Sequence, residues 1–300
     1  MNRIASRTAL VGGVVADGFG WRWIFAANLP VCAATLGLVP RLVSETRDDA
    51  RRPIDLVGIA LLTLALGLLI ESLLQLGHRA VSLASAVVFA AFVLQQRRRA
   101  TPVLDPVLLR QKAMIAVSLL LITVSIAYWA LLVYLPLFLQ TTFGFAAERT
   151  GMVMLAATLP MVVLPPFAGA LAPRWGWRRL FATGLAVIAA GDLVLASAPS
   201  LWVVLVGLAV IAIGAALVQA QLSGAVVALA PAAQAGMASA LTIVMRQGGF
   251  AIGIAALGAV LGPKVGTASR DIYSWMFLLA AVAALIGAAS AFLIEAKRAP

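Results

Sequence analysis

The chain has 300 residues, 63% of them hydrophobic and 11% charged, with a mean hydropathy of +1.05. A soluble domain carries roughly 45–50% apolar and about 25% charged residues, so no water-soluble fold of this length hides so much apolar surface, and the bilayer must be the solvent. The net charge of +11 does not indicate nucleic acid, because Lys and Arg sit in short segments between apolar runs rather than along one helix face.

A hydrocarbon core about 30 Å thick needs about 20 helical residues. Residues 8–19 are apolar but short, at roughly 18 Å if helical, and read as the tail of a partial helix. Full spans are predicted near 24–43, 56–77, 81–96, 113–140, 150–171, 180–197, 201–229, 237–261 and 272–294. The expected fold class is all-α: a polytopic membrane helix bundle of about nine full transmembrane helices plus a partial one. Pro53 and Asp55 precede the 56–77 span, residues 101–106 form a Pro-containing loop, and Ala198-Pro199-Ser200 and Gly262-Pro263 read as tight turns. Pro160, Pro165 and Pro166 should kink their helix, since proline removes a backbone donor and clashes with the preceding turn. Gly249 and Gly253 form a small-xxx-small pair that lets helix backbones approach closely.

With the C-terminus placed in the cytoplasm, Arg3, Arg7, Arg41, Arg47, Arg51, Arg52, Arg97, Arg98, Arg99, Arg110, Lys112, Arg174, Arg178, Arg179, Lys297 and Arg298 fall on the cytoplasmic side. Arg22, Arg79, Arg149, Lys264 and Arg270 fall on the other, and Arg246 lies within a span. A span gained or lost in the middle would scramble this alternation, so the bias supports both the orientation and the helix number.

Candidate chemistry is sparse. Cys32 is the single cysteine and His78 the single histidine, which leaves little material for a disulfide, a metal site or His-based catalysis. No P-loop pattern is present. No cofactor is expected, and a membrane-embedded enzyme would need clustered His, Asp, Ser or Cys. Charges at membrane depth are costly and mark function by default, which singles out Glu71, Asp192 and Arg246. Arg246 reads as a contact to substrate or to a carboxylate, or as a structural residue pairing with backbone carbonyls. Asp192 in a dry bundle could carry a proton; the competing reading places it in an aqueous vestibule or against headgroups. For Glu71, in a linking helix, the structural reading is preferred.

Tyr128 and Trp129 lie near the midplane, away from the aromatic belts at helix ends. They suggest a cavity wall that stacks on a flat or cationic ligand, against plain helix packing, with one of the two facing a cavity. Tyr134 and Phe138 share a face and are expected to pack. Gln219 and Gln221, two apart, point in nearly opposite directions, so at most one lines a cavity while the other bonds across to a neighbouring helix. Arg174, Arg178 and Arg179 surround Trp175, Gly176 and Trp177 and serve at least as topology-setting charge with interfacial tryptophans.

Three stretches resemble the fourteen-helix drug:proton antiporters of the major facilitator superfamily, the EmrB/QacA type. The first is GWRWIF at residues 20–25, followed by Asn28 and Pro30. The second is GALAPRWGWRR at residues 169–179, similar to the superfamily's cytoplasmic loop motif. The third runs from Pro231 through Gly236, Met237, Ala238, Ser239 and Ala240 to Arg246, Gln247, Gly248 and Gly253. The family's Gly-Pro-x-x-Gly-Gly element is represented by Gly12 and Gly13, with Thr8 and Ala9 where Gly and Pro would stand.

The resemblance implies a division into residues 1–45, the remnant of an N-terminal half; 46–112, a linking helix pair with its loops; and 113–300, the C-terminal six-helix half. It implies a secondary transporter in the cell (inner or plasma) membrane, exporting small hydrophobic or cationic compounds in exchange for protons. Tyr128, Trp129, Gln219, Gln221 and Arg246 are then substrate-site candidates and Asp192 the proton-coupling candidate. Gly169, Arg174, Gly176 and Arg178 form the loop that locks helices. The family's first four helices have no counterpart here, so the expectation includes an N-terminally truncated chain that transports poorly alone. The alternative is a non-transporting fragment, or a half-transporter whose missing helices come as a separate chain.

Overall fold

A backbone N–H or C=O in lipid has no water to turn to, and the computed structural model is helical wherever it is regular. The structure describes residue 26 and residues 28–42, 55–74, 79–99, 110–230, 235–262 and 270–294, with no strand among them. Residues 8–19, the 20–25 string, residues 101–106, His78, Pro231 and Pro263 lie outside the described residues. The chain divides into two units, Met1–Pro53 and Ile54–Pro300. The first holds α1 (Asn28–Leu42), an apolar helix with Pro40 inside it and Arg41 in its last turn.

The second unit begins with a hairpin, α2 (Leu56–Leu74) and α3 (Arg79–Arg98). It continues with α4 (Lys112–Phe143), α5 (Ala147–Val163), α6 (Pro165–Ala196), α7 (Leu201–Leu229), α8 (Ala235–Leu261) and α9 (Arg270–Ser290). Arg79–Arg98, Lys112–Phe143, Pro165–Ala196, Leu201–Leu229, Gly236–Leu261 and Arg270–Leu293 are long and apolar enough to cross a membrane, and Leu56–Ser72 is a shorter apolar helix. The interruption expected between spans 150–171 and 180–197 takes a different form. The hydrogen-bond ladder breaks at Leu164, where Pro165 and Pro166 open α6 without N–H groups to continue α5. The freed ends are bridged locally, Leu164 donating to Pro160 O at 2.9 Å and Ala168 to Leu164 O at 3.1 Å. Non-helical backbone returns at Gly176 alone, which divides α6 into two segments.

Lipid supplies no hydrophobic drive for helix association, so helices must meet at small residues. Along the α6–α7 seam an added Cβ on Gly184 would lie 2.5 Å from Val218, and one on Gly214 would lie 2.5 Å from the Gly184 carbonyl oxygen. Gly191 and Gly207 repeat the contact one step along, a Cβ on Gly191 reaching 2.9 Å from the Gly207 oxygen. The Gly249–Gly253 pair presses α8 onto α4, with backbone atoms of Ile122 2.6 Å and of Ile126 3.0 Å from the would-be Cβ positions. Tyr134 and Phe138 pack as expected. The Tyr134 hydroxyl donates to Ile254 O at 2.7 Å, and Phe138 sits edge-on to Tyr273 and Phe277.

The hairpin is fastened at both ends. At one, the Ser72 and Ser82 hydroxyls lie 2.6 Å apart. At the other, buried Asp55 caps α2 by accepting from Gly58 N at 3.0 Å. It also accepts from Gln95 Nε2 and Gln96 Nε2 at 2.9 Å, with Arg99 Nε 3.6 Å away. The Gln95 amide and then the Gly58 N–H hold the Asp55 carboxyl below the usual carboxylate range; burial opposes this, while Gln96 and Arg99 add to it.

Two measurements test this packing. Gly214→Ala should destabilise the solubilised protein by about 1–3 kcal/mol through overpacking, whereas Gly224→Ala, with open space at its Cβ, should hold or slightly raise the melting temperature, alanine being the better helix former. Equal effects would remove the glycine seam from the account. For Asp55 the lowered folded-state pKa means that its stabilisation is full above the unfolded value of about 3.9 and fades as pH falls through the folded one. Hydrogen exchange of the hairpin ends should be flat from pH 5 to 8 once corrected for intrinsic rates, and Asp55→Asn should raise it across that window.

Candidate functional site

The loop motif is legible in its backbone. Gly176 has φ 73° and ψ 157°, a conformation that a Cβ opposes and that glycine supplies. This single residue kinks the helical path inside α6. Two residues on, the Arg178 guanidinium lies over the Phe292 ring at 4.8 Å from its centroid. Phe292 belongs to the short 3₁₀ turn Ala291–Leu293 that ends α9, so the cation–π contact ties the turn to the last helix. Arg174 and Trp175 are exposed, while Trp177 packs on the core. Gly169 is half-buried, its Cβ position 3.5 Å from Gln221 Nε2. The motif and one of the two glutamines are thus brought together across α6 and α7.

The midplane aromatic pair occupies a feature with no warning in the sequence. Residues Ser125–Ala130 form a π-helical segment inside α4, and such segments recur at functional sites. Tyr128 is buried and its hydroxyl donates to Ala157 O on α5 at 2.8 Å. Its ring meets Trp129 edge-on at 5.2 Å. Tyr128 is therefore a packing residue, and Trp129 is the half-buried member. The buried Trp129 Nε1 and the Ser118 and Ser125 hydroxyls have no hydrogen-bond partner among the described residues. Buried polar groups are nearly always paired, and the Thr142 and Thr150 hydroxyls share this unpaired state among the described residues.

Asp192 lies on α6 at 0% exposure, and both its carboxyl oxygens lack a partner among the described residues. That geometry corrects the vestibule reading: the side chain meets protein on all sides, next to the Gly191–Gly207 contact. Arg246 is half-buried on α8, one turn before Gly249, and is not paired with Asp192. Gln219 and Gln221 are both half-buried on α7, and Glu71 is half-buried on α2. Among the described residues no three or more His, Cys, Asp or Glu side chains gather in a way that would hold a metal ion.

A cavity of about 730 Å³ lies between α2, α3, α4 and α8. None of the residues singled out from the sequence as site candidates lines it; Met245, the neighbour of Arg246, does. The Asp55–Gln95–Gln96 cluster also escaped sequence reasoning. Its trace was an aspartate one residue before an apolar run and two glutamines just before an arginine cluster, forty positions apart.

Comparison with known proteins fits this geometry. The sequence profile of the Major Facilitator Superfamily matches residues 7–254 and 117–300. Similar proteins include the Multidrug resistance protein Stp of Mycobacterium tuberculosis, 33% identical over 84% of this chain and 49% of the relative. The Probable actinorhodin transporter of Streptomyces coelicolor is 31% identical, over 87% of this chain and 50% of its own length. The Multidrug efflux pump LfrA of Mycolicibacterium smegmatis is 30% identical, over 84% and 52%. The chain spans about half the length of these relatives. With the profile matched over nearly its whole length, the chain belongs to the Major Facilitator Superfamily.

Proposed function

We propose that this chain forms the C-terminal six-helix half and linking hairpin of a fourteen-helix drug:proton antiporter. In this reading it works in the cell membrane with its C-terminus cytoplasmic. The substrate class is small hydrophobic or cationic compounds, as the resemblance to the drug:proton antiporters implies; the relatives' names speak only of multidrug resistance, multidrug efflux and actinorhodin transport. The observation that carries the reading is the Gly176 turn anchored by Arg178 on Phe292. Transport of this kind needs two halves rocking about a midplane site. Trp129, with its unpartnered Nε1 on the π-helical segment, is the strongest substrate contact. Gln219, Gln221 and Arg246 are flanking candidates.

A second reading is favoured by the chain spanning about half the length of its relatives. The six helices act only when joined by those that the relatives carry in their other half, as part of one polypeptide or as a separate chain. The test is proton-driven dye efflux from vesicles containing this chain with and without such helices supplied. Transport is expected only in the joined state.

Asp192 is the proton-coupling candidate in this reading. Asp192→Asn keeps the side-chain volume and should abolish proton-driven accumulation while dye exchange without a proton gradient persists. Unimpaired proton-driven transport by that variant removes Asp192 from the mechanism. The loop makes a separate prediction. Gly176→Ala forces a non-glycine residue into a strained conformation at a cost of about 1–3 kcal/mol. It should slow transport more than it weakens dye binding, with Arg178→Ala showing the same split. Loss of binding in proportion to rate would make the loop merely structural.

A further inference from the structure

The cavity between the hairpin and the bundle has a composition of its own. Its walls are apolar, with Leu66 and Leu69 from α2, Phe92 from α3, Ile122 from α4 and Met245 from α8. Its floor is kept open by Gly248, whose Cβ position meets only Leu66 Cδ2 at 4.0 Å. One end closes at the Ser72–Ser82 pair. The other carries Arg97 and Arg110, both exposed, and the lining contains no Asp or Glu. Among the described residues neither arginine is in a salt bridge.

We propose that this cavity binds an anionic glycerophospholipid, with its acyl chains along the apolar walls and its phosphate between Arg97 and Arg110. The volume lies in the range of ligand pockets, about 300–1,000 Å³. About 22 Å of helix separates Ser82 from Arg97, more than the roughly 15 Å of hydrocarbon in one leaflet. A lipid with its headgroup at the arginines therefore fits with its tails inside and stops short of the serines. Basic pockets between transmembrane helices are a recognised setting for anionic headgroups. The same charge argues against the cationic compounds proposed as cargo: a cation entering here would meet two guanidinium groups and no carboxylate on the wall. The Asp55 carboxylate is directed at Gln95 and Gln96 and does not line the cavity. The site is separate from Trp129, Asp192 and the Gly176 loop, so it stands whether or not the efflux reading does.

The test is lipid binding by the full chain in detergent, followed by native mass spectrometry and thermal melting. Phosphatidylglycerol should bind about tenfold or more tighter than phosphatidylcholine with the same acyl chains and should raise the melting temperature. The double variant Arg97→Gln/Arg110→Gln, at two exposed positions, should lose that preference while retaining its melting temperature in pure detergent. Gly248→Leu should lower affinity for both lipids by filling the floor. Glycerol 3-phosphate alone should bind neither protein. Equal retention of the two lipids, a preference that survives in the double variant, or stabilisation by glycerol phosphate alone would each overturn the proposal. Should Gly248→Leu fail to fold, the arginine variant still decides.

Discussion

The constraint beneath this structure is that lipid offers the backbone no hydrogen-bond partner and the side chains no hydrophobic reason to associate. Both demands are met by the same device, helices brought close at glycine. At Gly184 and Gly214 the backbones of α6 and α7 approach so nearly that a methyl group on either would strike the other helix. Hydroxyl side chains settle much of the remaining polarity within their own helices. Thr123, Thr141, Thr183, Ser197 and Thr242 each bond a carbonyl one turn back. Such residues are polar in composition but inert in chemistry, which removes them from any list of site candidates.

Departures from the helix are therefore informative, because each must be supported. The break at Leu164 is supported by local bonds on either side of two prolines. The turn at Gly176 is supported by glycine itself and by Arg178 on Phe292. The π-helical segment of α4 is supported on one side by the Tyr128 hydroxyl, which reaches Ala157 O. The Ser125 hydroxyl and Trp129 Nε1 of the same segment have no hydrogen-bond partner among the described residues. The three departures thus differ in kind. Two are closed by the protein, and the third is closed only in part.

How much of this was legible in the sequence follows from the same physics. Helix positions, the prolines at the Leu164 break, the Gly176 motif and the packing of Tyr134 and Phe138 could be read, because each is set by hydropathy or by a residue's own backbone preference. Which face of a helix turns inward could not. In water an apolar stripe marks the buried face, but lipid tolerates apolar groups on every side. In α7 Val206 is 56% exposed while Val204, two residues before it, is fully buried, and nothing in their chemistry separates them. That is why Tyr128, read as an even choice between cavity and packing, needed its partner on α5 to be assigned. It is also why the complete burial of Asp192 was not apparent. The Asp55 cluster joins residues 40 positions apart, and no local pattern encodes that meeting.

The polar groups of the second unit fall into two classes on this basis. Asp55, Tyr128, Tyr134 and the Ser72–Ser82 pair have their bonds made and serve as fasteners. Among the described residues Asp192, Trp129, Ser118, Ser125, Thr142 and Thr150 have buried polar atoms with bonds unmade, and Arg97 and Arg110 line an apolar cavity with no acid on its described wall. A fold that satisfies its backbone so thoroughly has little reason to leave side chains unsatisfied unless something else completes them. In the readings proposed above, a proton completes the Asp192 carboxyl, a ligand acceptor the Trp129 indole, and a phosphate Arg97 and Arg110; these call for different partners, so each is better understood as a separate site than as a fragment of one.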